Sequence, residues 1–286
     1  MDKQANNSVM VPVLKLRVLT ALILLPLALA AIFMLPADWF LALLALVFLI
    51  GTSEYSRLAG LSGRMSAQLL IVVQAIIFIS LYLLKDHWGN DMALWLTVGC
   101  IAWLLMFIRL PMYRPPSSPA DSSYRLVSSV TAIVSITSAW FALSWLSSKP
   151  DGPWLILLLL LIVWAADTGA YFSGKAFGKR KLAPQISPGK TIEGLLGGLL
   201  LAPVVTLIAV YLMPITDINS IWIALLSLVV ALISVGGDLM ISMHKRISGF
   251  KDSGNLLPGH GGILDRVDSL LAAAPFFALG LLAMGL

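Results

Sequence analysis

Charge is what this chain has least of. Only 14 of its 286 residues are acidic and 19 basic, so charged residues make up 12% of it, about half of the roughly 25% usual in a soluble domain. A soluble fold of this length leaves about a quarter of its surface to water, and so few charges cannot cover that surface. The shortage excludes an ordinary soluble enzyme, a disordered chain and an ordinary nucleic-acid binder, so nucleic acid is not among the expected partners. Cysteine is scarcer still. Cys100 stands alone, which excludes an intramolecular disulfide and a thiolate metal cluster. Its apolar neighbours Val98, Gly99, Ile101 and Ala102 mark it as a buried, inert thiol. No long polar segment exists; the Pro/Ser-rich stretch 111–123 is a plain loop. No repeat of fixed period stands out, so an inverted-repeat transporter has no direct support.

What the chain has in abundance is apolar sequence. Hydrophobic residues are 59% of it, and its mean hydropathy is +0.94. Nine apolar stretches, at 18–35, 39–51, 67–84, 92–108, 126–146, 153–172, 191–213, 221–242 and 263–286, lie near the roughly 20 residues that cross a bilayer core of about 30 Å. The fold class is therefore an all-α integral membrane protein of about nine transmembrane helices. The second stretch is short, and the first two form a tight hairpin turning at Pro36-Ala37-Asp38. The first could instead be a signal peptide, with Ala28-Leu29-Ala30 as a cleavage site. Its uncharged run is longer than the roughly 7–15 residues of a signal core, and it reads as a retained span. Seventeen of the 19 Lys and Arg residues fall at the N-terminus or in the loops after spans two, four, six and eight. The alternate loops hold only Lys85 and Lys149. The positive-inside rule puts the N-terminus in the cytoplasm and the C-terminus outside. The chain divides into residues 1–150 (spans one to five) and 151–286 (spans six to nine with two cytoplasmic loops), the second being the catalytic region.

Those two loops hold the chemistry. In the first, Asp167 lies inside an apolar run and Glu193 opens the next span. An ionised carboxylate there is costly unless paired or metal-bound. Ser187-Pro188-Gly189-Lys190-Thr191 reads as a turn feeding a helix start, where backbone N–H groups, Lys190 and the Thr191 hydroxyl can cradle a phosphate. The spacing is not that of a Walker A loop, and the bland reading is a basic loop touching anionic head groups. In the second, Gly236 and Gly237 precede Asp238, and glycines permit close approach of a backbone or ligand. Asp265 and Asp268 share a helix face at i, i+3 and repel unless a cation lies between them. Asp167, Asp238, Asp265 and Asp268 thus converge near the ends of spans six, eight and nine. Oxygen donors without cysteine suit Mg²⁺, and Lys245, Arg246, Lys251 and Arg266 suit phosphates. Acids for a divalent metal, bases for polyphosphate and glycines for close approach are the equipment of phosphoryl or nucleotidyl transfer. Elsewhere the bland readings hold: Glu54 as a lipid-interface residue, His244 facing head groups, His87 incidental, and Trp39, Trp88, Tyr124, Trp145 and Trp154 as an interfacial belt.

The segment Ser242-x2-Lys245-Arg246-x4-Lys251-Asp252-x-Gly254-x2-Leu257-Pro258-x-His260-Gly261-Gly262-Ile263-x-Asp265-Arg266-Val267-Asp268 resembles the signature of the phosphatidate cytidylyltransferases, or CDP-diacylglycerol synthases. The block with Asp167, Ala170, Tyr171, Gly174, Lys190, Thr191 and Gly194 is similar too. Together they cover about the last 120 residues; the N-terminal half resembles the family only in hydropathy and span number. Two positions depart from the pattern: His244 stands where relatives have an apolar residue, and Ala165 where they often have Gly. The resemblance implies a nine-span enzyme of the bacterial inner (plasma) membrane, its site facing the cytoplasm. The implied reaction converts CTP and phosphatidic acid to CDP-diacylglycerol and pyrophosphate, with Mg²⁺ required, K⁺ beside it, membrane lipids around it and a homodimer as the assembly. On that reading Asp238 and Asp265 hold the metal, with Asp268 and Asp167 next. Lys245, Arg246, Lys251 and Arg266 clamp phosphates. Lys190 with Ser187 and Thr191 serves one substrate, Asp252 also contacts substrate, and His260 with Gly261 and Gly262 shapes the turn beside the metal. The rivals are a CTP-dependent lipid kinase, which would release CDP, and a transporter, whose acids would line a path through the bilayer.

Overall fold

The computed structural model describes residues 19–61, 63–115, 121–215 and 218–286. Among them, eight helices are long and apolar enough to span a membrane: α2 (Ala37–Leu58), α3 (Arg64–Leu83), α4 (Met92–Phe107) continued by the single turn α5 (Arg109–Met112), α6 (Ser122–Ser147), α7 (Gly152–Phe177), α8 (Ile192–Leu212), α9 (Ser220–Ile247) and α10 (Leu264–Ala283). A shorter apolar helix, α1 (Leu19–Met34), precedes them. The all-α membrane architecture expected from hydropathy is thus the one observed. Where the first span begins lies outside the described residues, as do Lys3, Lys15 and Arg17.

Local chemistry sets the helix starts. Asp121 Oδ1 accepts the Tyr124 N–H at the head of α6. Asn219 Oδ1 accepts the Ile221 and Trp222 N–H groups at the head of α9. Thr191 Oγ1 accepts the Gly194 N–H at the head of α8. Each satisfies amide donors that a helix start leaves without intrahelical partners. Helices α6, α7, α9 and α10 form the inner layer; about half of the most apolar stretch of α6, α7 and α10 is buried, against 17% for α3. Leucines and aromatics on α1, α3, α4 and α8 face outward, as lipid-facing surfaces do.

The second span is longer than its apolar run suggests, since α2 continues to Leu58. Thr52, Glu54 and Ser56 interrupt the hydropathy, yet all three are buried, and Tyr55 and Leu58 are fully so. The turn before it falls at Leu35-Pro36, one residue earlier than expected, with Pro36 at the N-cap. The aromatic belt also needs correction. Trp39 is 70% exposed, but Trp145 is buried, and Tyr124 donates its hydroxyl to Leu58 O. The side chain of Trp88 lies outside the described set. Cys100 is buried, as expected.

Small residues bring α7 and α8 together. A Cβ placed at Gly169 would stand 2.6 Å from Gly197 O, one at Gly198 2.5 Å from Ala166 O, and one at Gly194 2.8 Å from Ala170 O. Helix backbones in lipid associate through such close packing. Gly169→Leu should therefore force α7 from α8 and lower the thermal midpoint in detergent, since overpacking costs about 1–3 kcal/mol. An unchanged midpoint by circular dichroism would place this contact outside the rigid part of the fold.

Between α7 and α8 the chain forms a small antiparallel hairpin, β1 (Lys181–Ala183) with β2 (Ser187–Thr191). Ser187–Thr191 is therefore an extended strand; the turn lies at 184–186. The C-terminal end of α2, the N-terminal ends of α1, α6 and α10, the C-terminal end of α9 and this hairpin gather at one end of the bundle. Thr20 Oγ1 donates to Pro258 O there, and Arg246 Nε donates to Ile186 O. At the opposite end Lys85, just beyond α3, pairs with Asp38 at the head of α2.

Candidate active site

Two lysine–carboxylate pairs organise the gathered end. Lys245 sits in the last turn of α9, and its Nζ lies 2.7 Å from Asp265 Oδ1 at the start of α10. Both side chains are nearly buried, at 11% and 6% exposure. The other oxygen of Asp265 accepts from the Ser253 N–H at 2.8 Å, the Ser253 hydroxyl at 3.0 Å and the Gly262 N–H at 3.0 Å. Asp265 is thus tied to α9 by charge and to the loop after it by hydrogen bonds. That loop passes close to the carboxylate. Gly261 has φ +79°, and a Cβ there would lie 2.7 Å from Asp265 Oδ2. A left-handed backbone and a crowded carboxylate both call for glycine at this position.

The second pair joins the hairpin to α9. Lys190 Nζ lies 2.6 Å from Asp238 Oδ2, and both side chains are about one quarter exposed. Ser242, one turn along α9, donates to Asp238 Oδ1 at 3.1 Å. Gly237 lets α10 approach beside this acid, since a Cβ there would stand 2.8 Å from Asp268 O. Asp268 is half-buried on α10, with Oδ1 accepting its neighbour's N–H at 2.7 Å. Asp167 on α7 opens onto a cavity of about 480 Å³ that Tyr171, Lys190, Leu195 and Val235 also line. The charges acting on Asp167 are those of Lys190, Asp238 and Arg266; those acting on Asp268 are Asp238, Lys245 and Lys190.

A second cavity, of about 520 Å³, lies in the loop between α9 and α10. Lys251, Asp252, Asn255, His260, Gly261 and Arg266 line it, and its walls are mainly polar. The sequence candidates therefore divide between two cavities. Asp167, Lys190, Ser187 and Thr191 belong to the first, and Lys251, Asp252, His260, Gly261 and Arg266 to the second. Lys245 and Asp265 join α9 to α10, and Gly262 meets Asp265 through its N–H. Arg246 is turned instead to the hairpin carbonyl of Ile186.

Two bland readings are overturned, those of Glu54 and His244. Glu54 is no lipid-interface residue. It is 7% exposed and accepts from the N–H groups of Ile263 at 3.0 Å and Leu264 at 2.8 Å and from the Ser253 hydroxyl at 2.8 Å. His244 does not face head groups. It is fully buried, its Nδ1 bonds Met240 O at 2.9 Å, and its ring meets those of Tyr55 and Tyr124. Glu193 is satisfied rather than stranded. It accepts from the N–H groups of Lys179 and Arg180 and pairs with the Arg180 guanidinium at 3.0 Å.

Whether a hard cation fits here is decided by donor chemistry. Among the described residues no three Asp, Glu, His or Cys side chains stand close enough to form a preassembled metal nest. Two of the four carboxylates, Asp238 and Asp265, each meet a lysine, and Asp167 and Asp268 have no ion pair among the described residues. An oxygen-only set with surplus negative charge suits Mg²⁺.

Residues 15–284 match the model of a family described as the cytidylyltransferase family. Over 272 residues the chain is 42% identical to a phosphatidate cytidylyltransferase of Pseudomonas aeruginosa, covering 95% of this chain and 98% of that one. It is 37% identical over 283 residues to that of Haemophilus influenzae, covering 93% and 97%. It is 35% identical over 278 residues to that of Staphylococcus haemolyticus, covering 95% and all of the relative.

Proposed function

This chain belongs to the cytidylyltransferase family, and on that premise we propose that it transfers CMP from CTP to phosphatidic acid, giving CDP-diacylglycerol and pyrophosphate. The observation that carries the reading at the level of the site is a pair of cavities, one lined by Asp167 and Lys190 and the other by Lys251, His260 and Arg266. One has apolar walls beside a lysine, and the other is polar and rich in cations. Phosphatidic acid, with a phosphate head and apolar chains, suits the first; Tyr171 and Phe172 on its wall helix are largely exposed and could meet those chains. CTP suits the second, where Lys251, His260 and Arg266 gather.

The nucleophile is an oxygen of the phosphatidate phosphate, so no serine or cysteine is needed. Its second ionisation lies near pH 6, as for other phosphomonoesters, and it is largely deprotonated at neutral pH without a strong base. The oxygen forms a bond to the α-phosphorus of CTP while the bond to the bridging oxygen breaks, and pyrophosphate takes that oxygen away. Lys190 orients the attacking phosphate, and Lys251 and Arg266 neutralise the triphosphate. Such catalysis rests on positioning and charge neutralisation. Asp238, Asp265, Asp268 and Asp167 would hold Mg²⁺, which when bound offsets the charge of the polyphosphate. A neighbouring K⁺ and a homodimer belong to the same proposal, on the strength of the motif resemblance. The skewed Lys and Arg distribution supports an inner-membrane enzyme whose site faces the cytoplasm.

The test is transfer of label from CTP into chloroform-soluble lipid by the purified chain in detergent, with the released product identified. Pyrophosphate is expected; CDP would assign a lipid kinase instead. Lys251→Ala should lower kcat/KM for CTP about tenfold, the scale of about 1.4 kcal/mol for one charge-assisted contact. An unchanged value would reduce Lys251 to a contact with lipid head groups.

A further inference from the structure

The motif that carries the polar cavity is anchored by an acid from the other half of the chain. Glu54 lies near the C-terminal end of α2, about 200 residues from the loop it touches. Its Oε1 accepts the Ile263 N–H and its Oε2 accepts the Leu264 N–H, so both oxygens cap the start of α10. Ile263 supplies no side-chain cap of its own, and a carboxylate at a helix N-terminus also meets the positive end of the helix dipole. The loop is shaped around this carboxylate. A Cβ at Gly254 or at Gly262 would collide with it, so glycine at both positions lets the backbone close on Glu54. Ser253 is 1% exposed, and its hydroxyl stands 2.8 Å from Glu54 Oε2 and 3.0 Å from Asp265 Oδ2. A hydroxyl carries one proton, so Glu54 and Asp265 share it.

We propose that Glu54 is a positioning residue for the transfer reaction: with Ser253 it clamps the α9–α10 loop onto the start of α10, so that Asp265, Lys251 and Arg266 hold their places around CTP. Glu54 acts through the loop and does not itself touch substrate. The proposal rests on the CMP-transfer reading for its kinetic consequence and on the hydrogen bonds alone for its structural one.

The experiment uses the full chain in detergent. Glu54→Gln keeps size and shape but removes the charge and sets an amide donor among three donors; Ser253→Ala removes only the bridge. Glu54→Gln is expected to lower kcat at least tenfold with KM for phosphatidic acid within about threefold of wild type, because the lipid is held in the other cavity. Glu54→Asp, which keeps the charge, should recover part of the loss. A cycle of Glu54→Gln with Ser253→Ala should be non-additive, since both break one clamp. By hydrogen exchange, amides from 253 to 265 should exchange faster in both single variants, while those of α6 and α7 do not change. A kcat within twofold of wild type in Glu54→Gln would overturn the proposal. So would additive effects in the cycle, or unchanged exchange in the loop of the milder Ser253→Ala variant. A wild-type chain that forms no CDP-diacylglycerol would instead overturn the reaction assignment, and the exchange measurement would then decide the clamp by itself.

Discussion

Asparagine in place of Asp265 is expected to reduce CMP transfer by about a hundredfold or more, the largest loss of any single conservative change in the loop. The reason lies in its partners. One oxygen faces the Lys245 ammonium, and the other takes three donors from Ser253 and Gly262. An asparagine amide can present only one acceptor oxygen. Whichever way it turns, an NH₂ group meets either an ammonium or a cluster of donors. Lys245, with a side chain 11% exposed, is then left without its counter-charge, and breaking a buried pair from one side costs roughly 3–5 kcal/mol. If even about 3 kcal/mol of this appears in the transition state, the rate falls by about two orders of magnitude. CMP incorporation into lipid from labelled CTP checks this, with circular dichroism to confirm a helical fold. Turnover within threefold of wild type would remove Asp265 from the catalytic assembly.

The same residues show where sequence reading reaches and where it stops. Nine apolar helices and the alternation that places the basic loops together follow from hydropathy and charge counting, because crossing a bilayer imposes length and apolarity on every span. Asp238, Asp265 and Asp268 stand out because a carboxylate in an apolar run has no local explanation. Glu54 hides for the converse reason. It sits in a polar stretch, Thr52-Ser53-Glu54-Tyr55-Ser56-Arg57, that resembles a helix end at the head-group level, and its partners lie some 200 residues away. Gly254 and Gly262 are the only local hint, since each is a place where something must come close. Ser187–Thr191 misleads in another way. Pro188-Gly189 is a turn signal by composition, but pairing with Lys181–Ala183 extends it and moves the turn to 184–186. His244, fully buried against two tyrosines, is placed by the packing of α2, α6 and α9, which no single-helix pattern contains.

Removing either member of the Lys190–Asp238 pair should produce opposite effects on magnesium. At 2.6 Å and about one quarter exposure, the ammonium neutralises a carboxylate that the proposed function assigns to the ion, so lysine and metal compete for it. Asp238→Asn deletes a ligand and its charge. It should raise the magnesium concentration for half-maximal activity about tenfold or more and lower kcat about a hundredfold, in keeping with the charge stabilisation that a bound metal gives a transferring phosphoryl group. Lys190→Met keeps the length of the side chain and deletes the competitor. Magnesium should then bind more tightly, while the KM for phosphatidic acid rises because the phosphate has lost its cation. If the pair served only to hold the hairpin against α9, both variants would loosen the same contact, and magnesium dependence would shift in one direction or not at all. Titrating each purified variant with magnesium at saturating CTP separates the two cases, and a shift of the same sign in both would sink the metal role of Asp238. Calorimetric titration of the ion in the absence of substrates supplies the second readout, because competition between Lys190 and the metal does not depend on turnover.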